Sequence, residues 1–186
     1  MGVLGMLEFS SIAVGIHASD AMVKAAPIRV ITSKPTDPGR YITLITGDVA
    51  SVEASLDAGA KAATADRVVD TLFLPNAHDQ ILPALERKNP APERDALGAI
   101  DTATVAAIIR AADAACKTSP VSILKLRYAL HIGGKGYLTF VGTVADVEAS
   151  LDSAIVAAGE FVLESRLIPN PYPDIFEHLV QSDDSR

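Results

Sequence analysis

The stretch GDVASVEASLDAG at residues 47–59 returns at residues 142–154 as GTVADVEASLDSA. Between Val49–Asp57 and Val144–Asp152 eight of nine positions are identical, 95 residues apart. A phrase repeated at so long a spacing marks a duplicated folding unit. The likeness extends outward. LGMLEFSSIAVGIHASDAMVKAAP (4–27) aligns with LGAIDTATVAAIIRAADAACKTSP (97–120) at an offset of 93, which sets Gly5 on Gly98, Asp20 on Asp113, Lys24 on Lys117 and Pro27 on Pro120. Further on, LFLPN (72–76) meets RLIPN (166–170) at an offset of 94.

Each copy predicts the same elements. A short apolar strand opens it, Leu4–Phe9 or Leu97–Thr102. A helix follows, with Ile12, Ile16, Val23 and Ala26 on one stripe and Val105, Ile109, Cys116 and Ser119 on its counterpart. Pro27 and Pro120 stop these helices. Two strands come next, Ile28–Ser33 with Arg40–Thr46, then Val121–Ile132 with Lys135–Val141. The repeated phrase starts a second helix. Asp48 and Thr143 are its N-caps, Thr143 and Asp146 make a capping-box pattern, and the core stripes are Val49, Val52, Leu56 and Val144, Val147, Leu151. A fourth strand, Val69–Leu74 or Val162–Ile168, ends at a proline, and a short helix closes the copy at His78–Leu85 or Asp174–Val180. This βαββαβ(α) order predicts an α+β fold: two tandem ferredoxin-like units, each an antiparallel sheet with helices on one face. The first unit is expected at 1–88 and the second at 96–186, joined by the polar, Pro-rich linker 89–95, with an acidic tail QSDDSR.

Composition narrows the function. Hydrophobic residues make up 49% of the 186 positions but aromatics only 5%, so the core is built from Ala, Val, Ile and Leu. The net charge of −7 argues against a sequence-independent nucleic-acid binder. No run of 18 apolar residues predicts a membrane span, and the first residues lack the basic region of a secretory leader. One cysteine, Cys116, allows no internal disulfide and suits a reducing cytoplasm; its place on the apolar stripe predicts a buried thiol. His17, His78, His131 and His178 show no metal-ligand spacing. Nothing forms a Ser-His-Asp or Cys-His group, so no enzyme, cofactor or metal site is expected.

These marks, together with HIGGKGYLTFVGTVADVEASLD (131–152) and LIPNPYPDIFEHL (167–179), resemble the bacterial microcompartment shell proteins, in the tandem-domain, trimeric type found in propanediol-utilisation compartments. The resemblance covers nearly the whole chain. It implies a homotrimer whose six domains mimic a hexagonal tile. Such tiles meet other shell proteins edge to edge around encapsulated enzymes, in a cytoplasmic compartment, and pass small metabolites through a central pore.

The resemblance also assigns residues. KPTDPGR (34–40) and HIGGKG (131–136) become pore loops, with Thr36, Asp37, Pro38, Ile132, Gly133 and Gly134 lining the axis. His131 and Lys135 add positive charge to the second loop. Its Gly-Gly-Lys lacks the spacing and the following Ser/Thr of a phosphate-binding loop. In the resembling type a cysteine stands where this chain has Asp37, and three of them hold an iron–sulfur cluster. Carboxylate is a poor ligand for such a cluster, so none is expected. Asp-Pro-Gly is also an ordinary turn. Lys24 and Lys117, near helix C-termini that favour cations, become tile-edge lysines. Asn76 and Asn170 stand where the family's edge carries an arginine. Two other readings are an electron-transfer tile bearing an iron–sulfur cluster and a small-molecule-binding regulatory protein.

Overall fold

The computed structural model describes residues 2–128 and 132–181. The expectation for His131 and for the tail beyond Gln181 lies outside them. The first unit contains β1 (Gly2–Phe9), α1 (Ile12–Ala25), β2 (Arg29–Thr36), β3 (Arg40–Gly47), α2 (Val49–Ala63), β4 (Val68–Ala77) and α3 (Ile81–Leu85). The second contains β5 (Ala96–Thr102), α4 (Val105–Thr118), β6 (Ser122–Tyr128), β7 (Gly136–Gly142), α5 (Val144–Ala158), β8 (Val162–Ile168) and α6 (Pro173–Gln181). The sheets have orders β2-β3-β1-β4 and β6-β7-β5-β8, every pairing antiparallel.

The repeated phrase starts its helices as expected. The Asp48 carboxylate accepts the Ser51 N–H at 2.9 Å, and the Thr143 hydroxyl accepts the Asp146 N–H at 3.2 Å. The Asp146 side chain accepts the Thr143 hydroxyl at 2.6 Å instead of reaching back to the cap's N–H. Strand register repeats the sequence equivalence: Glu8 lies opposite Asp70, and its counterpart Asp101 opposite Glu164.

Four boundaries differ most from expectation. β2 runs on to Thr36, past the expected end at Ser33, so Lys34–Thr36 of the predicted loop are strand, paired to β3 as far as Arg40. The strand begun at Val121 is β6, ending at Tyr128, and Ile132 sits in a turn. β4 runs through Pro75 to Ala77, because β4 is an edge strand where proline's missing N–H faces no ladder partner. His78 precedes α3, whose helix starts at Ile81.

The burial of α1 is a larger correction. Its core face is Gly15, Ala18, Ser19 and Met22, while Ile12, Ile16 and Val23 are exposed. Val49 and Val144, in the first turns of α2 and α5, are also exposed; Val52, Leu56, Val147 and Leu151 are buried as expected. Beneath α1 the copies solve one packing problem in opposite ways. A Cβ on Gly15 would lie 2.4 Å from Tyr41, and a Cβ on Gly136 would lie 2.3 Å from Ile108. Ile108 is the counterpart of Gly15 and Gly136 the counterpart of Tyr41, so large and small residues trade places across the repeat.

β1 is buried on both faces, which explains its unbroken apolar run. Leu7 and Phe9 join Ala18, Met22, Val52 and Leu56 in the first unit's own helical core. Leu4, Met6, Ile42, Leu44 and Leu72 belong instead to a cluster with α4 and α5 of the second unit. Gly136→Ala is expected to destabilise the protein by about 1–3 kcal/mol through overpacking. Adding Ile108→Ala to the same chain should restore much of that loss, read from urea unfolding midpoints.

Candidate functional site

α4 lies where the two units meet, and a buried carboxylate receives its N-terminus. Glu8 is wholly buried, and its Oε2 accepts the Val105 N–H at 2.8 Å. Its Oε1 accepts from Arg40 Nη1 at 2.8 Å, and the same Nη1 donates to the Ala103 carbonyl at 3.1 Å. An anion is favoured there by the helix dipole and by the unpaired N–H groups of the first turn. Burial pushes the Glu8 carboxyl above its usual range, and the Val105 N–H and Arg40 oppose that rise.

One turn along, Arg110 grips Asp70 with both arms, Nη1 to Oδ1 at 3.0 Å and Nη2 to Oδ2 at 3.1 Å. Such forked pairs fix geometry as well as charge. The Thr104 hydroxyl donates to Asp70 Oδ2 at 2.6 Å, and Arg110 Nη1 donates to the Thr71 carbonyl at 2.7 Å. At the far end Asp113 accepts the His78 N–H at 2.7 Å and the Lys117 ammonium at 2.5 Å. Gln80 bridges the units with its amide, donating to the Val121 carbonyl and accepting the Ile123 N–H, both at 2.9 Å.

The duplicate positions carry no such cover. Val105, Ile109 and Cys116 of α4 are 0%, 0% and 7% exposed, whereas Ile12, Ile16 and Val23 of α1 are 37%, 55% and 50% exposed. On the second sheet, Ala99, Asp101, Tyr137, Thr139, Glu164 and Arg166 line an open groove of about 140 Å³. It corresponds to the face of the first sheet that α4 covers. The Thr139 hydroxyl in this groove is buried and has no hydrogen-bond partner among the described residues. The chain thus presents one finished joint and leaves the duplicate helix side and the duplicate sheet face uncovered.

The two loops singled out in the sequence meet. A Cβ on Gly134, at φ +75°, would lie 2.0 Å from the Asp37 carbonyl oxygen, so only glycine permits this approach. Thr36 and Gly134 are buried, Asp37 and Ile132 half-buried, Pro38 and Gly133 exposed. Gly39 takes φ +87° and donates its N–H to the Thr36 carbonyl at 3.1 Å, closing the expected turn. Beside the loops the Lys34 ammonium lies 5.1 Å from the centre of the Tyr128 ring.

An iron–sulfur cluster does not fit these loops, since they offer a carboxylate and no thiol. Cys116 is instead buried in α4, where desolvation and the Asp113 charge push its thiol up to about 12. That keeps it a thiol rather than the thiolate a metal requires.

The edge residues are less alike than their alignment. Lys24 pairs with Asp20 at 2.6 Å in the open, but the partner of Lys117, Asp113, is buried in the finished joint. Asn76 and Asn170 are exposed. Arg94, from the connecting segment, donates to the Asn170 side chain at 3.2 Å and to the Pro171 carbonyl at 2.9 Å. Sequence reasoning missed Arg94 as well as the joint residues Glu8, Asp70 and Arg110. The available signals were a glutamate inside an apolar strand and the changes of Arg110 to His17 and Asp70 to Glu164 across the repeat.

The BMC domain family matches this chain twice, at residues 3–77 and 96–171. The bacterial microcompartment shell protein PduT of Citrobacter freundii is 38% identical over 180 residues, spanning 96% of this chain and 97% of that protein. The shell protein EutM of Salmonella typhimurium is 38% identical over 82 residues, 44% of this chain and 85% of its own length. The crystal structure of a microcompartment protein from Desulfitobacterium hafniense DCB superposes with a TM-score of 0.83 at 41% identity, covering 95% of this chain and 99% of that one. A fused, permuted hexameric shell protein of the RMM microcompartment shares the fold, with a TM-score of 0.62 at 18% identity over 84% of this chain and 81% of that chain.

Glu8→Ala strands the Arg40 charge and the Val105 N–H inside the joint. It is expected to cost about 3 kcal/mol of folding stability in thermal or urea unfolding.

Proposed function

The chain belongs to the BMC-domain family of microcompartment shell proteins, and from this premise we propose that it is a structural tile of a bacterial microcompartment shell, built as a trimer. One observation carries the reading: the helix position that is wholly covered in the second unit is bare in the first, and the sheet face that would cover it is open. α1 of one copy therefore docks on the second sheet of the next, as α4 docks on the first sheet within the chain. This contact is heterologous, so repeating it builds a ring or an open filament. Three chains, six units, close the ring in the arrangement that the family resemblance implies.

In such a ring the six loops face one axis. Thr36, Asp37 and Pro38 alternate with Ile132, Gly133 and Gly134. Three Asp37 carboxylates concentrate negative charge and favour a bound cation. The glycine loops present backbone N–H groups that attract anions weakly. A lining of this kind suits passage of small metabolites, because conduction requires weak binding. Lys24, Lys117, Asn76 and Asn170 lie at the tile edge, toward other shell proteins, and the tile's inner face meets the encapsulated enzymes. Its role is assembly and permeability rather than catalysis.

Two experiments test the reading. Native mass spectrometry should find three 19.4-kDa chains together; a stable monomer at micromolar concentration overturns the trimer. Ile16→Asp should leave a folded monomer, whereas Ile109→Asp, at the covered position, should cost about 3 kcal/mol or more of folding stability. For the pore, Asp37→Cys should bind an iron–sulfur cluster on anaerobic reconstitution, at about one cluster per trimer. No cluster would show that residue 37 does not face the axis.

A further inference from the structure

The joint between copies is written in different residues from the joint within the chain. At an offset of 93, Arg110 corresponds to His17. At an offset of 94, Asp70 corresponds to Glu164, and strand register gives the same match. The forked Arg110–Asp70 pair therefore becomes a histidine facing a glutamate. Resting on the trimer reading, we propose that His17 of one copy contacts Glu164 of the next and that this contact makes the closing of the tile depend on protons.

The monomer is prepared for this contact. Arg166 Nη1 and the Ser165 N–H both bind Glu164 Oε1, which leaves Oε2 without a partner among the described residues. Those two donors hold the Glu164 carboxyl below the usual carboxylate range, so it stays ionised well below neutral pH. His17 is exposed on α1, at the position that Arg110 holds on α4. Histidine is the side chain whose charge ordinarily changes between pH 5 and 8. As pH falls, the imidazolium adds a charge-assisted bond to Glu164 and the joint tightens. Arg110 stays charged throughout, so the joint inside the chain keeps its strength.

The other charges around His17 are accounted for. On α1, Asp20 and Lys24 pair with each other, and on α2, Asp57 and Lys61 pair at 3.6 Å while Glu53 is exposed. β1 and β3 carry Glu8 and Arg40, which are paired, and β2 carries Arg29 and Lys34. The next copy brings Arg166 and Asp101 beside Glu164, with Tyr137 in the same groove and, on β6 opposite Thr139 and Tyr137, Lys125 and Arg127. Asp101 holds the place of Glu8, at the N-terminus of the docked helix.

Sedimentation equilibrium of the full chain at pH 8 and pH 6 reads the effect. One exposed charge-assisted contact changes each joint about three-fold, so the trimer dissociation constant, with three joints, should fall on the order of thirty-fold toward pH 6. In His17→Arg the dissociation constant should be low and equal at the two pH values. In Glu164→Gln the pH dependence should disappear while the chain stays folded. A trimer in which the unsubstituted chain shows no change, or in which His17→Arg keeps the full change, overturns this inference and leaves the trimer reading intact. A monomer at both pH values overturns both.

Discussion

The structure depends on how the Leu4, Met6 and Glu8 face of the first sheet is covered. A strand apolar on both faces needs a layer on each, and one unit has helices for only one. α4, from the second unit, supplies the missing layer, and Glu8 receives its N-terminus. Because the chain duplicates the unit, it duplicates the need. The second sheet has an equivalent face, and α1 has an equivalent side, and neither is covered within the chain. On the proposed reading, assembly follows from the same packing requirement that joins the two units.

Duplication inside one chain also frees the copies to diverge. The cores stay alike where each unit must pack on itself, as in Val52 with Val147 and Leu56 with Leu151. They differ where the unit meets something else. The traded pair of Gly15 with Tyr41 and Ile108 with Gly136 shows divergence without loss of fit. The loops at 34–40 and 132–135 differ in chemistry, since one carries the Asp37 carboxylate and the other Gly133, Gly134 and Lys135.

Much of this was legible in the sequence. The repeat predicted the element order, both N-caps and the two loops, because these rest on local patterns. The outward side of α1 was not legible. Ile12, Ile16 and Val23 form an apolar stripe, and periodicity cannot tell a side buried in the chain's own core from one left exposed on its surface. The joint residues were hidden for a related reason. Glu8 meets Val105 across 97 residues, and Asp70 meets Arg110 across 40, so no local pattern links them. Pro75 misplaced the end of β4 because its tolerance depends on the strand being at an edge.

The most direct measurement of this account is hydroxyl-radical footprinting of Ile16, in the native oligomer and again after dilution to single chains. Ile109, buried in the finished joint, serves as the internal reference. The account predicts that Ile16 labels readily in the single chain and falls to the level of Ile109 in the oligomer. Equal labelling of Ile16 in both states would contradict it, because the oligomer would then be held together by some surface other than the second copy of this joint.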